Sequence, residues 1–431
     1  MIIDLSNTLK KFIFFASFQF IFLGCANVKN TPSRPKVMME APAPTYIKEE
    51  LKGRNVFETP NYNFTNSYDF AKNQSNIKGL FFDGLPYKGK QTKVFCWYGE
   101  PKNIDKSKKT PAVVLVHGGG GTAFSQWVNQ WTDKGYIAIS IALEGQVPGE
   151  RTKDKNGKLQ HPTFEFPGPK RQGFFNDVVT EDLENQWFFH AVADVIMAKQ
   201  LLKSFPQVDE NNIGITGISW GGILTNVITG IEDFKFAIPV YGCGFLPETP
   251  LYKRLLSKLT KEQQTYYKKK WEPSLYIPYH KQPTLFVNGT NDLHFTMNSF
   301  TKSFKASNTE KYIYVKHNMK HGHWPGWNEA TIYAFADYVT KNTNAPQKVD
   351  LINSDSSKLI FKVSKEIENA NLYYTTDYAD WGKKNYKWIE KKATVTNQQV
   401  EVNLPKNAVA YFLNTKNKNG IVYSTPMKIL K

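Results

Sequence analysis

A glycine-flanked serine is the feature that most limits how this chain can fold. The segment GISWGG, residues 217–222, follows a short apolar run at 213–216 and precedes an apolar segment at 223–228. Glycines on both sides of Ser219 allow the backbone to turn sharply from a strand into a helix, which exposes the hydroxyl at the carboxyl end of the strand. The same pattern also arises by chance in a plain turn, but its place between a strand and a helix favours a nucleophile. We therefore predict that Ser219 is a catalytic nucleophile in a layered α/β domain.

The middle of the chain alternates strand and helix patterns. Apolar residues recur at helical spacing over 186–204, and a second helix is predicted around 329–339. Short continuous apolar runs, typical of strands buried on both faces, predict strands at 113–116, 136–142, 213–216, 236–240, 284–287 and 312–315. This alternation predicts an α/β fold with a mostly parallel sheet and helices on both faces.

A glycine-rich loop lies about 100 residues before the serine. His117 and four consecutive glycines, residues 118–121, directly follow the strand at 113–116. Such a loop leaves backbone N–H groups available to an oxyanion, and the N–H of Trp220, the residue after the nucleophile, is the expected second donor. A phosphate-binding loop would end in Lys-Ser or Lys-Thr, which is missing here. His117 is expected to shape the loop through hydrogen bonds.

An acid and a base follow in the chain order Ser, Asp, His. Asp292 ends the segment NGTND at 288–292, and the segment HNMKHGHW at 317–324 contributes His321 as the predicted base, with His323 as the alternative. A carboxylate at a strand end can orient a histidine and stabilise its imidazolium form. The alternative for Asp292 is a simple Asx turn, and the alternative for the histidines is a metal site. No companion carboxylate–histidine motif supports a metal, so we predict neither a metal nor a cofactor.

Residues 110–340 resemble the α/β-hydrolase superfamily, in particular the dienelactone hydrolase and acetylxylan esterase-like branch, which is related to prolyl oligopeptidase-type catalytic domains. The matching segments are VHGGGGTAF (116–124), GITGISWGG (214–222), WEPSLYIP (271–278), VNGTND (287–292) and MKHGHWPGW (319–327). The resemblance implies Ser219 as nucleophile, Asp292 as acid and His321 as base. It also implies that Gly119 or Gly120 donates to the oxyanion together with Trp220.

Three segments are expected to shape the substrate pocket. They are the polar and aromatic insertion at 150–184, the residue Tyr241 after the fourth predicted strand, and a helical lid or flank at 251–281. Loops at the carboxyl end of such a sheet commonly form the walls of the site. We predict that Tyr241, Trp220 and His323 line the pocket, and the alternative for each segment is a scaffold role.

Composition excludes several classes of protein. The chain of 431 residues has a net charge of +17, but only five of its 55 basic residues are arginines. Because arginine is the residue that reads phosphates and base edges, this lysine surplus argues against nucleic acid as a partner. Attraction to an anionic polymer or surface remains the alternative to a merely solvated surface. Three cysteines exclude a disulfide scaffold.

The amino terminus is predicted to be an export signal. Two lysines precede the apolar run Phe12–Leu23, which is too short to span a bilayer. The run ends in FLGC, residues 22–25, which resembles a bacterial lipobox. The resemblance implies that residues 1–24 are a lipoprotein signal peptide and that Cys25 carries the lipid. We predict an extended tether over 25–60 and a lipid-anchored protein of the bacterial cell envelope, in the outer membrane or periplasm.

The chain after Pro346 changes its pattern. Short strands without helices are predicted at 359–363, 372–375, 400–404, 408–414 and 421–425. We therefore predict a catalytic α/β-hydrolase domain over 61–346 and a β-sandwich over 347–431. Six aromatic residues of this region are expected to form either a carbohydrate-stacking face or part of the core: Tyr373, Tyr374, Tyr378, Trp381, Tyr386 and Trp388.

These features lead to one main functional hypothesis and two alternatives. The main hypothesis is a serine esterase that removes acyl groups from carbohydrate, or cleaves small esters, through an acyl-enzyme at Ser219. A prolyl oligopeptidase-type peptidase is the first alternative, although the about 50–80 residues between Cys25 and the hydrolase are too few for the propeller of such enzymes. The second alternative is a non-catalytic carbohydrate-binding lipoprotein.

Overall fold

The computed structural model describes residues 41–68, 76–173, 175, 177–354, 357–377 and 387–430. The predicted signal peptide and Cys25 lie outside these residues, as do Tyr378, Trp381 and Tyr386 of the predicted aromatic set.

A nine-stranded sheet forms the centre of the predicted hydrolase domain, called the hydrolase region below, in the order β1-β2-β3-β5-β4-β8-β9-β10-β11. The strands of this region, with the separate two-stranded ribbon β6–β7, are β1 (Tyr62–Thr65), β2 (Ile77–Asp83), β3 (Lys93–Gly99), β4 (Thr110–Val116), β5 (Ile137–Ile141), β6 (Thr152–Lys153), β7 (Leu159–Gln160), β8 (Val208–Ile218), β9 (Ala237–Val240), β10 (Thr284–Gly289) and β11 (Lys311–Lys316). Five neighbouring pairs are parallel: β5–β4, β4–β8, β8–β9, β9–β10 and β10–β11. The first three strands are antiparallel and were not predicted.

Burial explains why the parallel strands were recognisable in the sequence. Every residue of β5, β9 and β10 is buried, and β4 is buried from Ala112 onward. A strand covered on both faces must be apolar throughout, so it appears as a continuous apolar run. By contrast, the residues of β1 are mostly exposed and carry no such signal.

Helices cover this sheet, and the predicted α/β class with a mostly parallel sheet is confirmed. They are α1 (Ala43–Lys52), α2 (Ser125–Thr132), α3 (Asp177–Thr180), α4 (Trp187–Ser204), α5 (Trp220–Ile228), α6 (Pro250–Leu256), α7 (Lys261–Lys270), α8 (Met297–Ala306), α9 (His323–Trp327) and α10 (Ala330–Lys341). Helix α4 is buried from Trp187 to Leu202 and packs against α5 and the central strands. Among the described residues, no helix combines the length and apolar character needed to cross a bilayer.

The predicted tether ends earlier than expected. The prediction of an extended segment up to residue 60 is wrong from residue 43 onward, because α1 packs into the hydrolase core. Ile47 and Leu51 have no exposed surface, and the Lys48 ammonium donates to the carbonyl of Ile231 at 2.8 Å. The prolines near its start indicated an extended chain, but proline in the first turn is compatible with a helix.

The C-terminal region forms two packed antiparallel sheets. One has the order β12-β13-β17-β16, and the other has the order β15-β14-β18-β19, with β20 paired to β18. The strands are β12 (Val349–Ser354), β13 (Lys358–Val363), β14 (Asn369–Thr375), β15 (Ile389–Lys392), β16 (Thr394–Thr396), β17 (Gln399–Asn403), β18 (Ala410–Lys416), β19 (Val422–Ser424) and β20 (Lys428–Ile429).

The buried residues of this sandwich belong to two cores. Phe361, Leu413 and their neighbours fill the space between the two sheets. Tyr373, Trp388 and Phe412 instead belong to the core of the hydrolase region. The second sheet therefore packs with one face on its partner sheet and with the other on the hydrolase. The chain from Ala41 onward forms one compact unit.

Candidate active site

Ser219 lies at a sharp corner between β8 and α5. Its backbone has φ 59° and ψ −115°, which side-chain-bearing residues rarely adopt, and its N–H donates to the carbonyl of Val240 at 2.9 Å. The turn requires its glycines, because a Cβ at Gly217 would lie 2.1 Å from the carbonyl oxygen of Gly221. A Cβ at Gly221 would lie 1.9 Å from the carbonyl oxygen of Val116 on the neighbouring strand. The strand-to-helix turn inferred from the sequence is thus present.

The structure brings the three predicted side chains into one hydrogen-bonded chain. His321 Nε2 lies 3.0 Å from Ser219 Oγ, and His321 Nδ1 lies 2.6 Å from Asp292 Oδ2. The other carboxylate oxygen, Oδ1, accepts the backbone N–H groups of His294 and Phe295 at 2.8 and 2.9 Å. The Asp292 side chain is fully buried, whereas the His321 side chain is 26% exposed. This geometry suits a fixed anion behind a histidine that can exchange a proton with the serine.

The glycine-rich loop is held by two histidines. The Gly118 N–H donates to His323 Nε2 at 3.0 Å, and the Gly121 N–H donates to the Gly118 carbonyl. His117 Nδ1 contacts the same carbonyl at 2.7 Å, and its Nε2 accepts the N–H of Leu143 at 3.1 Å. His117 therefore shapes the loop, as the sequence suggested.

Gly119 and Gly120 are the two glycines predicted to donate to an oxyanion, and their surroundings differ. A Cβ at Gly119 would lie 2.9 Å from Cδ1 of Trp220, so Gly119 lies directly beside the residue that follows Ser219. Gly120 has φ +72°, and a Cβ there would have nothing within 4 Å. Gly119 is thus the better placed of the two predicted glycines. Trp220 is the first residue of α5, and N–H groups of a first turn point out of the helix.

His323 has a supporting place in this structure. It contacts the loop rather than Ser219, and its ring packs against Phe124 at 4.8 Å between ring centroids. Burial lowers the pKa of His323 to about 4. The ring is therefore neutral at pH 7 and can accept the Gly118 N–H. The alternative prediction of His323 as the base does not fit this contact.

Tyr241 was predicted to line the pocket, and this prediction is wrong. Its side chain has no exposed surface. Its hydroxyl donates to the carbonyl of Lys320 at 2.9 Å, and its ring lies 4.8 Å from the ring of His321. Tyr241 therefore supports the His321 loop from inside the core and presents no surface to a pocket.

The insertion after β5 contributes a cation that the sequence did not single out. The Arg171 guanidinium lies 5.2 Å above the ring of Trp220, and a Cβ at Gly119 would lie 2.9 Å from its Nη2 atom. Its Nε lies 3.9 Å from Glu144 Oε1. The insertion thus reaches Trp220, the residue that follows Ser219, and Trp220 itself is only 5% exposed. No motif or spacing in the sequence points to Arg171.

His294 is a second residue that the sequence did not reveal. Its ring lies 4.7 Å from that of His321, and burial is the main reason that its pKa is lowered. Asp292, His294 and His321 offer ligand atoms that all lie within 4.8 Å of one another, so they could hold a metal ion. An ion there would take a nitrogen of His321, and both ring nitrogens of His321 belong to the chain from Asp292 to Ser219.

Comparison with protein families connects this geometry to a known group. Residues 41–270, more than half of the chain, match the family model described as acetyl xylan esterase (AXE1). Residues 233–381 also match a model described as PhoPQ-activated pathogenicity-related protein.

Two solved structures share most of the fold. The acetyl xylan esterase from Paenibacillus sp. R4 has a TM-score of 0.54 and 18% identity, and the match covers 70% of this chain and 95% of that one. Acetyl xylan esterase 1 from Thermoanaerobacterium sp. JW/SL YS485 has a TM-score of 0.50 and 17% identity, with 68% and 93% covered. At such identities the likeness concerns the fold.

Curated relatives match over a shorter region. The probable dipeptidyl-peptidase 5 of Aspergillus clavatus is 26% identical over 163 residues, which are 36% of this chain and 18% of that protein. Dipeptidyl-peptidase 5 of Aspergillus oryzae is 25% identical over 166 residues, 36% of this chain and 19% of that protein. The matched part of the chain spans about a fifth of the length of these relatives. The family match over more than half of the chain is decisive: this protein is a hydrolase of the acetyl xylan esterase (AXE1) family, with the α/β-hydrolase fold predicted from its sequence.

Proposed function

We propose that this protein is a serine esterase that removes acetyl or other short acyl groups from carbohydrate. The observation that carries the proposal is the hydrogen-bonded chain from Ser219 Oγ through His321 to Asp292. Membership of the acetyl xylan esterase family supports the choice of an ester bond and of an acylated saccharide.

The proposed reaction begins with proton transfer from Ser219 Oγ to His321 Nε2. The Oγ attacks the ester carbonyl carbon, and the carbonyl oxygen becomes an oxyanion. This oxyanion accepts hydrogen bonds from the backbone N–H groups of Gly119 and Trp220. The C–O bond to the sugar then breaks, and His321 gives its proton to the departing sugar oxygen. The products of this half-reaction are the free alcohol and an acyl-Ser219 ester.

The second half-reaction uses water in the place of the sugar. His321 takes a proton from the water while its oxygen attacks the acyl carbon, and a second oxyanion forms between the same N–H groups. The bond to Ser219 Oγ breaks and the serine regains its proton from His321, releasing the carboxylic acid. Throughout, the buried Asp292 carboxylate stabilises the imidazolium and holds Nδ1 in the protonated tautomer.

The test is hydrolysis of 4-nitrophenyl acetate and of acetylated xylan by the wild type and by Ser219→Ala. We expect the variant to lose at least about 10³-fold in kcat, while the matched exposed serine variant Ser257→Ala retains activity. Equal activity of wild type and Ser219→Ala would refute the nucleophile. Inactivity of the wild type on every ester would favour a binding protein.

A peptidase is the second candidate, because the curated relatives named dipeptidyl-peptidase 5 match part of this chain. A dipeptide 4-nitroanilide assayed beside the esters distinguishes the two. An esterase should prefer the acetyl ester by several orders of magnitude in kcat/KM, whereas the reverse preference would establish the peptidase.

We further propose that the protein is attached to the bacterial cell envelope through a lipid on Cys25. The support is the lysine-flanked apolar run followed by FLGC at residues 22–25. Cys25→Ser should move the protein from the membrane fraction to the soluble fraction. Unchanged fractionation of that variant would contradict the lipid anchor.

A further inference from the structure

We infer that the C-terminal sandwich positions the Asp292–His321 pair through Trp388, and this role rests on the proposed esterase function. The sandwich contacts the hydrolase at the two loops that carry these residues. Trp388 Nε1 donates to the carbonyl of Thr290 at 3.3 Å, two residues before Asp292. The ring of Tyr373 lies 5.1 Å from the ring of His317, four residues before His321.

Thr290 joins the two loops to each other. Its N–H donates to the carbonyl of Lys316 at 3.1 Å, and its Oγ1 accepts the N–H of Asn318 at 2.9 Å. Its hydroxyl also contacts Asn291 Oδ1 at 2.7 Å. A shift of Thr290 therefore moves the Asp292 loop and the His321 loop together.

Trp388 is held firmly at this point. It is 5% exposed, and its ring meets Phe412 edge-on at 5.0 Å between centroids. Phe412 in turn stacks on Tyr373 at 5.1 Å with an interplanar angle of 13°. Both aromatic contacts to the loops therefore come from one stacked group on the sheet of the sandwich that faces the hydrolase.

The same sheet also fixes the strand that leads to the His321 loop. Strand β11 is at the edge of the central sheet, and side chains of the sandwich satisfy its outer backbone groups. The Val315 N–H donates to Ser424 Oγ at 2.8 Å, and the Val315 carbonyl accepts from Asn414 Nδ2 at 3.0 Å. Ser424 donates in turn to Asn414 Oδ1 at 2.6 Å.

These contacts make Trp388 a positioning residue for the triad. The Asp292–His321 contact is 2.6 Å and the His321–Ser219 contact is 3.0 Å. Small displacements of catalytic groups can lower turnover by up to about 10²-fold. Loss of the Trp388 N–H should therefore lower kcat and leave the KM for a small ester unchanged.

The test compares Trp388→Phe with two matched controls, using 4-nitrophenyl acetate and hydrogen–deuterium exchange. Trp131→Phe makes the same replacement at a buried tryptophan of the hydrolase core whose Nε1 has no hydrogen-bond partner in the described part of the chain. Phe361→Leu weakens the outer core of the sandwich, away from the loops. Thermal midpoints establish that each variant is folded.

We expect Trp388→Phe to lower kcat by about 10-fold with KM within about two-fold, and to speed exchange in 288–296 and 316–322. Both controls should keep kcat and the exchange of these segments. Thr290→Val should show the same loss of kcat. Thr290→Ser should keep the kcat of the wild type, because serine retains the hydroxyl that accepts the N–H of Asn318. Unchanged kcat and exchange in Trp388→Phe, or equal losses in Phe361→Leu, would overturn the inference.

The outcome is distinguishable from a failure of the proposed function. If the wild type cleaves no ester, that function fails, and faster exchange of the two segments in Trp388→Phe alone still supports the positioning contact. If the wild type is active and the segments exchange at the same rate in every variant, the positioning role is refuted while the esterase stands.

Discussion

Replacement of Ser219 by glycine should give a more stable protein than its replacement by alanine, and both variants should be inactive. The serine has φ 59° and ψ −115°, because β8 must turn into α5 within one residue. An L-residue held in such a conformation costs about 1–3 kcal/mol, and the surrounding structure must supply that energy. Glycine adopts the same angles without steric conflict between a Cβ and the backbone.

The expected gain follows from two opposing terms. Relief of the strained backbone raises the free energy of unfolding by about 1–3 kcal/mol, and the greater freedom of glycine in the unfolded chain lowers it by about 0.5–1 kcal/mol. The net stabilisation relative to Ser219→Ala is therefore about 1 kcal/mol. Alanine is the proper reference, since both variants lack the hydroxyl that contacts His321 and only alanine keeps the Cβ.

Calorimetric melting of the two variants provides the measurement. For a chain of this length, 1 kcal/mol corresponds to about 1–2 °C in the midpoint. Ser219→Gly should therefore melt about 1–2 °C above Ser219→Ala, and neither should hydrolyse 4-nitrophenyl acetate. A Ser219→Gly midpoint at or below that of Ser219→Ala would show that the turn is not strained and would refute this reasoning.

Three further predictions concern histidines. His323→Ala removes the acceptor of the Gly118 N–H and should lower kcat about 10–100-fold, whereas His321→Ala should lower it about 10³-fold or more. Equal losses of kcat would contradict a supporting role for His323 and a proton-transfer role for His321. Burial lowers the pKa of His280 to about 4, so the unfolded chain protonates this residue near pH 6.5 and the folded chain does not. The contribution of neutral His280 to the free energy of unfolding is complete above pH 6.5 and falls as the pH decreases toward 4. Between pH 6.5 and 5 the free energy of unfolding of the wild type should fall by about 2 kcal/mol relative to that of His280→Gln. Denaturant titrations in which this difference stays constant would refute the prediction. Zn²⁺ should inhibit ester hydrolysis, and EDTA should restore the activity. His294→Ala should require an about 10-fold higher Zn²⁺ concentration for half inhibition, and equal sensitivity of the wild type and this variant would exclude a zinc site that includes His294.

Local patterns were sufficient for the fold class and for the three residues of the hydrogen-bonded chain. The parallel strands are buried on both faces, so each leaves an apolar run, and the residues at their carboxyl ends necessarily meet at one edge of the sheet. This is why Ser219, Asp292 and His321 could be named from three separate segments before their distances were known.

Other features had no local signal. Tyr241 follows a strand as the predicted catalytic residues do, yet the side chains around it leave it no exposed surface. Helix α1 lies in a polar, proline-containing segment, and only its contacts with the hydrolase core make it a helix rather than a tether.

The chain's own residues determined the chemistry, and packing over long sequence distances decided what supports it. Glycine and serine at 217–222 favour a sharp turn between a strand and a helix, so the position of Ser219 could be inferred from local sequence. The contact of Trp388 with Thr290 joins residues 98 positions apart, and no periodicity or motif records such a pairing. Only the folded chain brings the sandwich against the loops of Asp292 and His321, because that contact depends on how two buried surfaces fit and not on the residues of either segment alone.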